Sequence, residues 1–360
     1  MTGAAAQPAV LTSMVRMPLM PVAAGGKLVL AYEVEISNTS SQDVSLMQFE
    51  TFANGKSQPE LSYDAVGLAR NTKQIAPPIT KEVRLLKPGT RAVIFCWMEF
   101  SDSSSLPHTI QHQITFKSGT RPDLTYRDVP STVSEVSSLA LGSPLGTGDW
   151  WAAIGPSNSS DHRRAQVRID RDPAAPFAQR YAIDWVALCD GRMYNGKGSA
   201  NSDYCGYGKD VLAVADGQVV SAKNGIPENK PGEGSRAVKI TLETLLGNHL
   251  ILDLGNHLYA VYAHLLPGSL QVKVGDHTRR GQVIARLGNS GNSDAPHLHF
   301  HVAQAPELDK VTSLQSEPYP YTFEKFEILG QYSGRAEFAP LPGSKRAQEL
   351  VTDGEVVRFP

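Results

Sequence analysis

The 360-residue sequence contains no run of eighteen or more apolar residues, which excludes a membrane-spanning helix of ordinary length. Its opening, Met1-Thr-Gly-Ala-Ala-Ala-Gln-Pro8, has neither a basic n-region nor an apolar h-region, so these residues do not read as a secretory leader. An excess of charge of one sign is also missing: 34 Lys and Arg against 36 Asp and Glu leave a formal charge of −2, with no long basic run. Nucleic acid is therefore not an expected partner, because phosphate binding needs clustered cations. Cysteine is scarce, at three residues. Cys96 falls in an apolar run and reads as a small core residue. Cys189 and Cys205 flank a Gly/Ser/Asn-rich loop, and two readings stay open. They form a disulfide, worth about 3 kcal/mol for a loop of about 15 residues in an oxidising compartment, or they are two separate thiols. Their spacing matches no compact zinc-ligand pair.

Helical periodicity is lacking too, and what is present is the two-residue alternation of strands. In the first 130 residues, β-branched and aromatic runs occupy Lys27–Ile36, Val44–Phe52, Lys81–Leu86, Ala92–Phe100 and Thr109–Phe116. Asn38-Thr-Ser-Ser, Ala53-Asn-Gly and Lys87-Pro-Gly supply turn chemistry between them. This predicts an all-β, immunoglobulin-like β-sandwich over 1–130. A small, polar, Gly-rich stretch with Trp150 and Trp151 near its end predicts a linker over 131–157, whose tryptophans dock on something. Strand patterns resume at Tyr181–Leu188, Asp210–Lys223, Ala237–Thr244, His249–Leu254, Leu258–His264, Gly281–Leu287 and His297–Ala303. Asp216-Gly217 reads as a hairpin turn within the second of these. A second β-domain over 158–305 and a Pro-rich extension over 306–360, helical at Ser344–Val351 if anywhere, complete the expected organisation.

His297-Leu-His299 lies in a strand pattern, so the two imidazoles share one face about 7 Å apart. A pair of histidines alone is weak evidence for a metal, but its surroundings are distinctive. Leu287-Gly-Asn-Ser-Gly-Asn-Ser-Asp-Ala-Pro296 leads into it, and Tyr262-Ala-His264-Leu, Val214-Ala-Asp-Gly-Gln-Val-Val220 and Tyr181-Ala-Ile-Asp184-Trp lie upstream. This ordered set, over about residues 158–303, resembles the lysostaphin-like, LytM-type zinc metallopeptidases. The resemblance implies an antiparallel β-sheet with a groove for one Zn2+ and a peptide substrate from bacterial peptidoglycan. It also implies a periplasmic or extracellular location. Position by position, it makes Asp184 and His299 zinc ligands. His264 and His297 become the histidines that handle the attacking water and the reacting carbonyl.

One position departs from the family pattern, which has a histidine ligand four residues before the aspartate; here it is Arg180. Arginine has no lone pair for zinc. Either the metal has been lost, or another histidine replaces the ligand, and His162 in Asn158-Ser-Ser-Asp-His162-Arg is the preferred replacement. His249 and His257 are weaker candidates. His108, His112, His277 and His301 read as structural or solvent-facing, and Asp253 and Asp276 as turn carboxylates. Tyr204 and Tyr207 are either oxyanion donors or loop anchors. The leading expectation is a zinc endopeptidase. The alternative is a metal-free LytM-type module that binds or activates a cell-wall hydrolase, and a third reading is a carbohydrate-docking protein. The N-terminal domain is expected to position or restrain the enzyme without supplying chemistry.

Overall fold

A computed structural model describes residues 10–16, 18–120, 122–137, 139–166, 175–232, 234–306, 314–333 and 337–360. Its contacts divide the chain into two units, Met1–Val22 with Gly26–Ser137, and Ala23–Gly25 with Ser138–Pro360. The fold is all-β, as the alternating patterns require: the described helices are Ala65–Asn71, Asp161–Arg164 and a 3₁₀ turn at Asn201–Asp203.

In the first unit, strand Lys27–Asn38 pairs antiparallel with Arg91–Phe100, setting Tyr32 opposite Cys96. A second sheet is built on Val44–Ala53 and Thr109–Ser118. Both sheets contribute to one core that includes Val34, Ile36, Phe49, Ile94, Ile114 and Phe116. His112 is a satisfied core histidine. Its Nδ1 lies 2.7 Å from Asp128 and its Nε2 lies 2.9 Å from the Tyr32 hydroxyl. Cys96 is buried, and burial pushes its thiol pKa well up, so it is inert. The strand expected at Lys81–Leu86 shrinks to Leu85–Leu86. The Gln74 side-chain amide explains this: its nitrogen lies 2.9–3.2 Å from the carbonyls of Glu82, Val83 and Leu85, competing for the backbone that a ladder would use.

The second unit is organised by an 11-stranded sheet. Along it lie Gly217–Lys223, Asn248–Asp253, Leu258–Leu265, Leu298–Gln304, Ile183–Leu188, Asp149–Ile154, Glu355–Arg358, Phe326–Ser333 and Glu337–Arg346, each antiparallel to the next. Trp185, Phe300, Tyr321, Phe323 and Phe359 pack edge to face on one side of its central strands, with centroids 5.3–5.8 Å apart for most pairs. Large aromatic rings interlocked in this way leave little room for the strands above them to shift.

Several local expectations are corrected. Asp149–Ile154, inside the predicted linker, is a strand that pairs on both edges, with Trp150 opposite Ala187 and Val357. Six residues among glycines look like linker by composition, yet two buried indoles supply enough apolar surface to hold the segment in the sheet. The stretch after 305 likewise supplies sheet strands, and Ser344–Val351 is not helical: Glu337–Arg346 is a strand and Gln348 has φ +54°. Ala237–Thr244 forms no strand, because Thr244 Oγ1 accepts from the Thr241 amide and donates to the Lys239 carbonyl. Asp216-Gly217 is a crossover between sheets. Asp210–Leu212 pairs with Val283–Arg286 in a small separate sheet, and Gly217–Lys223 joins the large one.

Candidate metal centre and groove

Register decides what the central strands present together. Asp184 pairs directly with His299, and His299 with Ala263 on its other side. Directly opposed residues place their Cβ atoms about 5 Å apart on one face. Asp184 and Val186 therefore point one way, while Ile183, Trp185 and Ala187 point to the other side. His297, His299 and His301 share the Asp184 face by the same two-residue period.

His162 arrives from outside the sheet. It sits in the single turn Asp161–Arg164, whose start is capped by Ser160 Oγ accepting from the Arg163 amide at 3.2 Å. His162 is thus held on a capped helical turn. The His162 Nε2 lies 3.4 Å from Asp184 Oδ2, and His299 Nδ1 lies 2.9 Å from Asp184 Oδ1. One ligand atom from each of His162, Asp184 and His299 falls within 4.8 Å of the others. Neighbouring ligands of a tetrahedral zinc with bonds near 2.05 Å are about 3.3–3.4 Å apart, so this donor set fits the ion in chemistry and nearly in spacing. Arg180 is outside the group; its guanidinium lies over the Tyr181 ring at 5.7 Å.

His264 and His297 flank this group. Their ring centroids are 4.8 Å apart, and His297 Nε2 is 3.4 Å from Asp184 Oδ1. Each has its Nδ1 against a backbone carbonyl: His264 against Ser290 and His297 against Ala295, both at 2.8 Å. A carbonyl only accepts, so both rings carry a proton on Nδ1 and turn Nε2 toward the groove. Burial, then the neighbouring imidazoles His297 and His299, hold the His264 pKa well below its usual range. Burial also pulls on His297, but the Asp184 carboxylate outweighs it and the net shift is upward. Asp184 itself is pressed upward by burial, yet His162 and His297 bring it well below the ordinary carboxylate range. The arrangement separates an imidazole that burial favours as neutral from one that holds a second proton more readily.

The backbone around His264 is special. The ladder between Asn248–Asp253 and Leu258–Leu265 is irregular between Asn248 and Leu250, and His264 adopts φ +63°. The irregularity swings its ring into the groove, where the Ser290 carbonyl catches it. That carbonyl lies beside Gly247 and Gly291, both at positive φ, and a Cβ on either glycine would overlap the facing backbone. This is why the approach to His297 is rich in glycine. Gly291→Ala is expected to lower unfolding stability by about 1–3 kcal/mol, measured by denaturant titration, with a simultaneous fall in activity. A variant as stable and active as the parent would show that the close approach is not needed.

The groove over these residues encloses about 580 Å³, and the residues lining it lie in the second unit. Trp151, Val186, Met193, Tyr194 and Tyr204 form an apolar wall, and Arg236 stands on the lining with its guanidinium 2.7 Å from Asp294. Tyr194 and Tyr204 pack at 5.2 Å in the loop that the Cys189–Cys205 disulfide closes. The disulfide reading of these two cysteines is the one the structure contains. Tyr204 therefore reaches the groove, whereas Tyr207 donates to Glu228 at 2.6 Å and serves as an anchor. His249 is buried away from the centre, with its Nδ1 3.1 Å from the Gly247 carbonyl. Asp253 and Asp276 cap turns through the Gly255 and Lys273 amides. His301, read as structural or solvent-facing, is buried with its Nδ1 3.0 Å from His299 Nε2. Gln179, not singled out in the sequence, lines the groove with its amide nitrogen 3.5 Å from the same atom.

Comparison with known proteins agrees with the motifs. Residues 203–311 match the profile of peptidase family M23, in line with the resemblance of this part of the chain to lysostaphin-like peptidases. A stretch of 78 residues is 33% identical to the peptidoglycan DD-endopeptidase ShyB of Vibrio cholerae, covering 22% of this chain and 18% of that protein. The match thus spans under a fifth of that relative's length. Among solved structures, the catalytic domain of lysostaphin from Staphylococcus simulans is similar over 50% of this chain and 88% of that one, at 19% identity and a TM-score of 0.24. A zinc-containing peptidase from Vibrio cholerae is similar over 81% of each chain, at 16% identity and a TM-score of 0.25.

Proposed function

We propose that the second unit is a zinc endopeptidase that cuts peptide bonds in bacterial peptidoglycan. The observation that carries this reading is the meeting of His162, Asp184 and His299 in one group, beside two imidazoles whose Nδ1 atoms are pinned and whose Nε2 atoms face the groove. In this reading His162, Asp184 and His299 hold the ion, which supplies Lewis acidity toward water and the scissile carbonyl. His264, kept neutral by burial, takes the proton of the attacking water at Nε2. His297, whose protonated form Asp184 favours, donates from Nε2 to the developing oxyanion or the leaving amine. The apolar wall and Arg236 offer an extended, mixed surface to a peptide bearing carboxylates. The metal-free module is not favoured, and the grouping of His162 with Asp184 and His299 supports His162 as the stand-in for a histidine at position 180.

The family match and the similarity to ShyB support peptidoglycan as the substrate. A periplasmic or extracellular location is part of the proposal, and the Cys189–Cys205 bridge, which suits an oxidising compartment, supports it. Among the described residues no helix is long and apolar enough to cross a membrane. The first unit, in this proposal, positions or restrains the enzyme.

The test combines metal analysis with digestion. Purified full-length protein is expected to hold close to one zinc and to release new amino groups, without new reducing ends, from purified peptidoglycan. A strong chelator should abolish the release and added zinc restore it. Zinc-loaded protein that leaves every peptide bond intact, or cleavage indifferent to the chelator, would overturn the proposal.

A further inference from the structure

The buried imidazole of His301 takes no part in the mechanism above, although it touches a residue that does. It lies on Leu298–Gln304 two residues beyond His299, hence on the same face, and is 1% exposed. Its Nδ1 is 3.0 Å from His299 Nε2, a full hydrogen bond, and the rings meet edge to face with centroids 5.1 Å apart. Its own Nε2 is buried with no hydrogen-bond partner among the described residues. Buried polar atoms of this kind are uncommon and ask for a reason.

We propose that His301 is a positioning residue that fixes the tautomer and orientation of His299, accepting the Nε2 proton of that ring so that Nδ1 is free to ligate a metal. The inference rests on the zinc-peptidase reading above. The His299 Nδ1 is the nitrogen that faces Asp184, at 2.9 Å, so Nδ1 is the atom on the ligand side. Ligation through Nδ1 requires a bare lone pair there and places the ring's proton on Nε2. That proton needs an acceptor in a buried site, and His301 Nδ1 is the atom at hydrogen-bonding distance. Gln179 stands farther off, at 3.5 Å, a longer contact than the 3.0 Å of His301.

The metal-free pair is satisfied in the opposite sense, with His301 Nδ1–H donating to His299 Nε2 and His299 Nδ1–H donating to Asp184. Ligation therefore reverses the bond. The His301 Nδ1 proton passes to His299 Nε2, the proton on His299 Nδ1 leaves to solvent through the groove that His299 lines, and His301 Nε2 takes up one proton from solvent, so each ring holds one proton before and after. Outer partners of a ligating histidine are usually carboxylates, carbonyls or waters. Here an imidazole does that work, and its unpartnered Nε2 is the atom that must accommodate the relocated proton.

The test is zinc affinity, measured on metal-depleted protein by competition with a chelating indicator. The variants are His301→Phe and His301→Leu, which offer no acceptor, and His301→Gln, whose amide oxygen can accept. The apolar variants are expected to bind zinc about 10–100-fold more weakly, and the glutamine variant to recover most of that loss. Thermal unfolding of the metal-free proteins separates this from misfolding. Folded apolar variants with affinity within about twofold of the parent, or a glutamine variant no better than phenylalanine, would overturn the inference. Ring-nitrogen NMR on the unsubstituted, zinc-loaded protein serves if the variants do not fold. It should show His301 with a bare Nδ1 and a protonated Nε2, and a proton on His301 Nδ1 would overturn the inference. Should the unsubstituted protein take up no zinc, the zinc-peptidase reading itself is what fails.

Discussion

His162→Ala is expected to strip the metal from the protein as thoroughly as His299→Ala does. Three protein ligands are the working minimum of a catalytic zinc site, and the turn before the strand that carries Asp184 offers Arg180 where the family pattern has a histidine. Losing His162 leaves Asp184 and His299 as a two-ligand site. Zinc affinity should then fall by more than the 10–100-fold typical of removing an outer hydrogen-bond partner. The His162 ring also lies edge to face against His299, with centroids 4.8 Å apart, so its removal loosens a second ligand. Metal analysis after equilibration with a moderate chelator measures the effect. Full zinc retention in the His162 variant would take this residue out of the ligand set and leave the Arg180 substitution without compensation.

The other large effect is on turnover. His264→Ala and His297→Ala should each lower peptidoglycan cleavage by about 10²–10⁴ while the protein keeps its zinc, since a general acid or base contributes a factor of that order. Each ring ties its Nδ1 to a carbonyl and leaves Nε2 for the groove, so metal retention in the variants is what separates a proton-handling role from ligation. His297 is the sharper test, because its Nε2 stands 3.4 Å from Asp184 Oδ1, the same separation as His162 Nε2 from Oδ2. Zinc loss in the His297 variant would place it among the ligands and assign the proton chemistry to His264 alone.

Much of this site was legible in the sequence because strand geometry is local. The two-residue period was enough to put His297 and His299 on one face, and the ordered motifs pointed to Asp184 and His264. His162 was singled out on chemical grounds, as a histidine that could stand in for the ligand missing at Arg180, and the structure brings it beside Asp184. The pairing of Asp184 with His299 was not readable from the chain, since these residues are 115 positions apart and their meeting is set by register. His301 was readable and was passed over, although the period that joins 297 to 299 continues to 301. The segment around Trp150 misled in the opposite way. Its glycine-rich flanks gave a local signal of loop, and only pairing with distant strands at 183–188 and 355–358 overrides it. Strands after 326 were hidden for the same reason, among prolines that edge strands tolerate.

The left-handed backbone at His264 inverts an ordinary rule of substitution. In a regular strand glycine is the poorer replacement, because it loses more chain entropy and packs nothing. At φ +63°, every residue with a Cβ carries a steric cost of about 1–2 kcal/mol that glycine escapes. Alanine at 264 keeps that cost and gives up the ring and its bond to Ser290, whereas glycine gives up the ring and the cost together. A chain drifting toward greater thermal resistance at this position would therefore drift toward glycine and away from chemistry. In the proposed mechanism, the histidine at this position trades backbone ease for a ring in the groove.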